Sequence, residues 1–119
     1  MPVEFAPAKG VESLPPIRVR PDEKAKLDVV VFGPVKNPAF TWNGGRAEFP
    51  VELKDGDRLF CRDGENWRVL DKDRNEVAKG ALRTALPLLV GGSNNIDFDC
   101  DDRDDAEVRI DIVKRYVNQ

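Results

Sequence analysis

Two tryptophans, a run of aspartates and two cysteines are the side chains of this 119-residue sequence whose type and spacing could do chemistry. Trp42 stands beside Asn43 and Arg46, and Trp67 stands beside Asn66 and Arg68, with Arg62 and Asp63 in the adjoining turn. A flat indole stacks on the apolar C–H face of a pyranose, while planar amides and guanidinium groups around it hydrogen-bond the hydroxyls. Both rings are therefore candidates for a carbohydrate platform, Trp67 ahead of Trp42, with Arg62, Asn66, Arg68 and Arg46 as polar partners. The competing reading is burial, the commoner fate of a tryptophan. Phe40 and Trp42 share a phase, and Phe49 and Val51 can lie opposite them on the same face.

Asp97, Asp99, Asp101, Asp102, Asp104 and Asp105 follow at close spacing. Calcium takes about six to eight oxygen ligands, and alternate strand positions put Asp97, Asp99 and Asp101 on one face. These three are the candidates for a calcium site. Their spacing departs from the D-x-[DN]-x-[DN]-G loop, so the expected reading is a solvated face and turn, with Arg58, Arg103 and Arg109 as partners. Cys61 shares a phase with Leu59, and Cys100 shares one with Phe98, so both thiols are expected to point inward as small hydrophobes. A disulfide would need the two Cα atoms within about 6 Å of each other.

The chain contains no histidine, which removes Ser-His-Asp and Cys-His nucleophiles and every histidine-containing metal site. Its serines, Ser13 and Ser93, therefore have no imidazole to activate them. Gly91-Gly92-Ser93 lacks the lysine and the helix of a phosphate loop. A glycosidase needs only two carboxylates, but most acidic residues fall at turns or on outward phases, so no enzyme activity is expected. A net charge of -3 offers no general cationic surface to nucleic acid or anionic lipid. No apolar run approaches the ~18–20 residues of a membrane span.

These side chains must be carried by strands. Hydrophobic residues at 40% against 34% charged fit one globular domain. Pro2, Pro7, Gly10, Pro15 and Pro16 break up the first sixteen residues, which read as a lead-in or linker, with a single domain over 17–119. From Ile17 onward, short β-branched runs alternate with turn chemistry. Ile17–Val19, Leu27–Phe32, Ala39–Trp42, Phe49–Leu53, Arg58–Cys61, Trp67–Leu70 and Glu76–Ala78 read as strands. The intervening turns include Asn43-Gly44-Gly45, Lys54–Asp57, Arg62–Glu65, Asp71–Asn75 and Gly91–Asn95. Strict alternation at Ile96, Phe98 and Cys100, and again at Val108, Ile110 and Ile112, predicts strands with one face in the core and one in water. Asn75–Leu89 is the only stretch with room for a short helix. The fold class predicted is all-β, an antiparallel β-sandwich or jelly roll.

The hairpin Asn-Pro-Ala-Phe-Thr-Trp-Asn-Gly, the strand end Leu-Lys-Asp-Gly-Asp and the run Leu86-Pro87-Leu88-Leu89-Val90-Gly91-Gly92-Ser93-Asn94-Asn95-Ile96 resemble, over roughly residues 27–116, the carbohydrate-binding-module-like sandwiches appended to polysaccharide-degrading enzymes. A similar order of turns occurs in the jelly-roll domain of phage distal tail proteins. The resemblance implies a non-catalytic accessory domain that binds a polysaccharide or oligosaccharide, or packs on a neighbouring domain of a parent enzyme. The alternative is a structural sandwich that contacts only protein. The opening residues lack the basic and apolar regions of a signal peptide. Two settings therefore stand: a piece of a longer exported chain, extracellular or periplasmic, or a cytoplasmic protein.

Overall fold

Apolar residues at every second position bury one side of a strand, and a second sheet must cover that side. The structure, a computed structural model, describes residues 3–5, 12–13, 16–62, 64–101 and 109–117 and meets this requirement with two antiparallel sheets packed face to face. The strands are β1 (Val3–Phe5), β2 (Glu12–Ser13), β3 (Ile17–Phe32), β4 (Val35–Trp42), β5 (Gly45–Glu48), β6 (Glu52–Leu53), β7 (Arg58–Cys61), β8 (Asn66–Leu70), β9 (Glu76–Ala81), β10 (Leu89–Asn94), β11 (Ile96–Asp101) and β12 (Ile110–Tyr116). One sheet has seven strands in the order β1-β12-β3-β7-β8-β9, with β10 also paired to β3. The other has five, in the order β2-β11-β4-β5, with β6 also on β4. The all-β sandwich expected from the alternation is the observed fold.

β3 is the spine of the larger sheet. Its second half pairs with β12 from Ala25 to Val31 and, on its other edge, with β7 from Val29 to Phe32. Its first half pairs with β10, Ile17 opposite Asn94 and Ala25 opposite Leu89. Pro21 lacks an N–H, so the ladder is irregular around it, and Asp22 takes a φ of 62°. Across from this irregularity lies Gly91, whose backbone approaches Arg20, Pro21 and Asp22 so closely that a side chain would crowd them. Tyr116 of β12 closes the bulge: its hydroxyl accepts from the Arg20 N–H at 3.2 Å, and the Arg20 guanidinium lies 4.0 Å from its ring centroid. The Lys114 ammonium donates to the Arg18 carbonyl beside it.

The core between the sheets is wholly apolar, with no buried polar or charged residue among those described. Phe40 sits at its centre, edge-on to Phe49 at 6.2 Å and to Phe98 at 5.6 Å between ring centroids. Val29, Val31, Leu59, Ile110 and Ile112 belong to the same cluster from the larger sheet. Ile96, Phe98, Ile110 and Ile112 are buried as their alternation predicts, and Val108 lies outside the described residues.

Several local expectations give way to tertiary pairing. Ile17–Val19 and Leu27–Phe32 are one continuous strand, because the bulge absorbs Pro21. Gly91–Asn94, expected as a turn, is part of β10 and pairs with β3. Asn75–Leu89 holds no helix, since Glu76–Ala81 pairs with β8. Within the expected lead-in, the proline-free pieces Val3–Phe5 and Glu12–Ser13 add short strands to β12 and β11. The hairpin reversal expected at Asn43-Gly44-Gly45 does form, but from Asn43 and Gly44 alone, with Gly44 at a φ of 122° and Gly45 already in β5.

Ile110 is completely buried and pairs with Val31 across the sheet. Ile110→Ala is expected to cost about 2–5 kcal/mol, the usual range for a large-to-small change in a close-packed core, read as a shift of the urea midpoint at unchanged slope.

Candidate functional site

Alternation decides which of the candidate residues can act together. In β8, Asn66 and Arg68 are exposed on the outer face of the seven-stranded sheet, while Trp67 and Val69 are buried on the inner face. Trp67 is only 7% exposed, so it offers no platform of its own, and the order of the two tryptophans as candidates reverses. Its position depends on Gly80, directly opposite on β9. The indole occupies the space of the missing side chain: a Cβ at residue 80 would stand 2.5 Å from the ring. The Trp67 Nε1–H is buried there without an acceptor.

Phe60 takes the place expected of Trp67. Leu59 and Cys61 point inward, so Phe60 points outward and is half-buried. It pairs with Val30 on one side and Arg68 on the other, and Arg68 in turn pairs with Lys79. The Arg62 guanidinium lies 5.5 Å from the Phe60 ring centroid, within cation–π range. Arg115 holds this corner together: its Nη2 donates to the Arg62 carbonyl at 2.8 Å and lies 3.5 Å from the Asp28 carboxylate. The result is a shallow depression of about 790 Å³, with Arg62, Asn66, Arg68, Lys79 and Arg115 facing Glu76. Three of the expected partners, Arg62, Asn66 and Arg68, thus line one depression with Phe60, and Trp67 lines it too, though almost wholly buried.

Trp42 is half-buried at the last position of β4, where the chain turns back through Asn43 and Gly44. It too lies over a glycine, Gly45, whose added Cβ would stand 2.8 Å from the ring. Ile96 pairs with it from β11. Asn95 is the single residue between β10 of one sheet and β11 of the other, so the chain crosses the open end of the sandwich beside the indole. The Asn94 Nδ2 fixes that crossing by donating to the carbonyls of Val90 at 2.9 Å, Ile17 at 3.2 Å and Gly92 at 3.3 Å. A cleft of about 510 Å³ forms here, in which the polar side chains around Trp42 are Asn43, Ser93, Asn94 and Asn95, and none of the lining residues is charged. Arg46 is not part of it. It pairs with Thr41, not Trp42, and so lies on the outer face, bonded to Thr41 Oγ1 at 3.3 Å and Asp99 at 3.2 Å.

The three calcium candidates do not converge on an open site. Asp99 faces Arg46 and accepts from the Cys100 N–H at 2.8 Å, and Asp101 accepts from Asn37 Nδ2 at 3.0 Å. No cluster of three carboxylate or thiol groups placed to hold a metal ion occurs among the described residues. Asp102, Asp104 and Asp105 lie outside them. Cys61 is buried as expected, Cys100 is only half-buried, and the two are not disulfide-bonded. No protein-family model, curated protein or solved structure matches the chain.

The β8–β9 hairpin that carries Arg68 and Lys79 is closed by Asp71. Its Oδ1 accepts from the backbone N–H groups of Asp73 at 2.8 Å and Asn75 at 2.9 Å. The Asn75 N–H, followed by that of Asp73, holds the carboxyl below its ordinary value of 3.8. A depressed folded-state value means that the ionised form favours the folded state. Its contribution is complete above 3.8 and is lost as pH falls through the folded-state value. Asp71→Asn keeps an acceptor oxygen but does not titrate. The stability difference between wild type and this variant is expected to shrink as pH falls below 3.8, followed by urea titration at stepped pH. Gly80→Ala forces a methyl group into the Trp67 ring and is expected to cost about 1–3 kcal/mol, with a red shift of tryptophan emission as the ring is displaced.

Proposed function

We propose that this chain is a non-catalytic accessory domain that binds a neutral carbohydrate in the cleft around Trp42, as part of a larger glycan-active, exported protein. The observation that carries the reading is the composition of that cleft: a half-buried indole among amides and a hydroxyl, without a charged side chain. An indole offers stacking to a pyranose face. Asn43, Ser93 and Asn95 offer both donors and acceptors, which is what a hydroxyl requires. A neutral lining avoids the desolvation cost of taking a charge out of water beside an uncharged ligand. The likeness to carbohydrate-binding-module sandwiches supports the same class through its Trp42–Gly44 hairpin motif, the Gly91–Asn94 part of it being strand.

A second reading is favoured by one specific feature. Leu88 and Val90, 48% and 55% exposed, flank the same cleft, and apolar side chains of this size suit a neighbouring protein domain. Under this reading Trp42 anchors a protein contact instead of a sugar.

Titration with cello-, xylo-, manno- and laminari-hexaose, read by tryptophan fluorescence and calorimetry, separates the two. At least one neutral oligosaccharide is expected to bind weakly, with Kd on the order of 0.1–1 mM, because a short open cleft buries little of its ligand. Trp42→Ala and Asn95→Ala are each expected to weaken that binding while unfolding remains cooperative. If none of the four produces a fluorescence or heat signal, the protein-contact reading replaces this one.

A further inference from the structure

The depression around Phe60 has a different chemistry from the Trp42 cleft and lies elsewhere, on the outer face of the seven-stranded sheet. Its central row, read across the strands, is Asp111, Val30, Phe60, Arg68 and Lys79. The row passes from a carboxylate through an apolar middle to two cations. Arg62 adds a third beside the Phe60 ring. Arg115 is already engaged by Asp28, but among the described residues no carboxylate pairs with Arg62, Arg68 or Lys79. A chain with a net charge of -3 therefore concentrates on one small patch, around a half-buried ring, three cations that no described carboxylate pairs. A surface that only needed solvation has no need of this separation.

We infer that this patch is a second ligand site, selective for a carboxylated polysaccharide chain built of uronic acid units. A ligand there meets an apolar ring and cations within one side-chain length. That suits a pyranose carrying one carboxylate, with its C–H face on Phe60 and its charge toward Arg68 or Arg62. Neighbouring strands lie about 4.8 Å apart, so the backbones of Arg68 and Lys79, cross-strand partners, are about one sugar ring apart and their side chains can reach carboxylates on one unit or the next. A nucleic acid strand fits less well. Sequence-tolerant strand binding uses successive aromatic platforms along an extended basic groove. Here a single ring, Phe60, is followed along the row by Val30 and Asp111, while Asp28 and Glu76 bound the patch. The inference uses no residue of the Trp42 cleft and does not depend on the neutral ligand proposed for it.

The test uses hexagalacturonate, its fully methyl-esterified form and a thymidylate hexamer, titrated into the whole chain at low and raised ionic strength. Three proteins are compared: wild type, Arg68→Gln/Lys79→Gln and Trp42→Ala. Arg68 and Lys79 are exposed, so their replacement leaves the fold intact, which circular dichroism and the urea midpoint check. Hexagalacturonate is expected to bind wild type and Trp42→Ala alike, and to lose about tenfold or more in affinity against the double variant and on methyl esterification. Raised salt is expected to weaken it in wild type more than in the double variant. The inference is overturned if the esterified form binds equally well, if the double variant keeps full affinity, or if the thymidylate hexamer binds more tightly at the same ionic strength. If Trp42→Ala alone abolishes hexagalacturonate binding, the acidic chain is read by the cleft and this site does not exist. Loss of the neutral oligosaccharides alone bears only on the cleft.

Discussion

Hydrogen bonding along both edges of β3 is the constraint on which the rest of the molecule depends. The strand joins β10 to β12 and β7, and it presents Ala25, Leu27, Val29 and Val31 to the opposite sheet. A strand paired on both sides must keep one register with three partners at once. The one proline within it can therefore be accommodated only by a bulge. The bulge in turn needs a partner backbone that can approach closely, which Gly91 supplies, and a cover, which Tyr116 and Arg20 supply. Placement of both candidate sites follows from the same strand: Val30 and Asp28 of its outer face border the Phe60 depression, while Ile17 anchors Asn94 beside the Trp42 cleft.

The two tryptophans solve one packing problem twice. Each lies directly across a strand pair from a glycine, Trp42 over Gly45 and Trp67 over Gly80, and each ring fills the volume of the absent side chain. Covering a glycine with a cross-strand aromatic protects a weak point of the sheet and fixes the ring's direction. Trp67 is the second residue of β8, and the chain beyond β9 returns past that strand's start, Leu82 and Leu86 donating to the Glu65 and Gly64 carbonyls, so its ring ends inside. Trp42 is the last residue of β4, so its ring ends half outside. Equal local chemistry thus gives one core residue and one candidate ligand surface, and the difference lies in what covers the strand end.

Much of the fold was legible because burial acts on every second residue. Ile96–Cys100 and Ile110–Ile112 show the alternation without interruption, and Asn43-Gly44 supplies turn chemistry that few other conformations can use. The length of β3 was hidden, because Pro21 reads locally as a break and only the pairing with β10 across more than sixty residues makes it a bulge. The strand character of β9 and β10 was hidden for the same reason: glycine-rich and mixed segments take their conformation from a partner. At the site, Arg62, Asn66 and Arg68 were found because polar residues beside a turn face water. Phe60 was missed, although a signal was present: it shares the phase of Arg58 and Arg62 and opposes that of Leu59 and Cys61. Trp67 was misplaced because its burial depends on Gly80, thirteen residues away, and nothing local marks that pairing.

The long reach of β3 also sets the order in which the molecule can assemble. Val31 pairs with Ile110, and Ile17 pairs with Asn94, each across roughly two thirds of the chain. During synthesis the apolar edge of Val29 and Val31 is made early but gains its β12 partner only after Ile110–Tyr116 has left the ribosome. Loop closure over such distances is entropically costly and slow, which places a domain of this topology in the millisecond-to-second range of folding times. Through that interval the edge of β3 that β12 will cover, β-branched and still unpaired, is exposed to its neighbours on the polysome. Lys24, Lys26 and Asp28, which interrupt the apolar run on its outer phase, put charge on a segment whose β12 partner is made late.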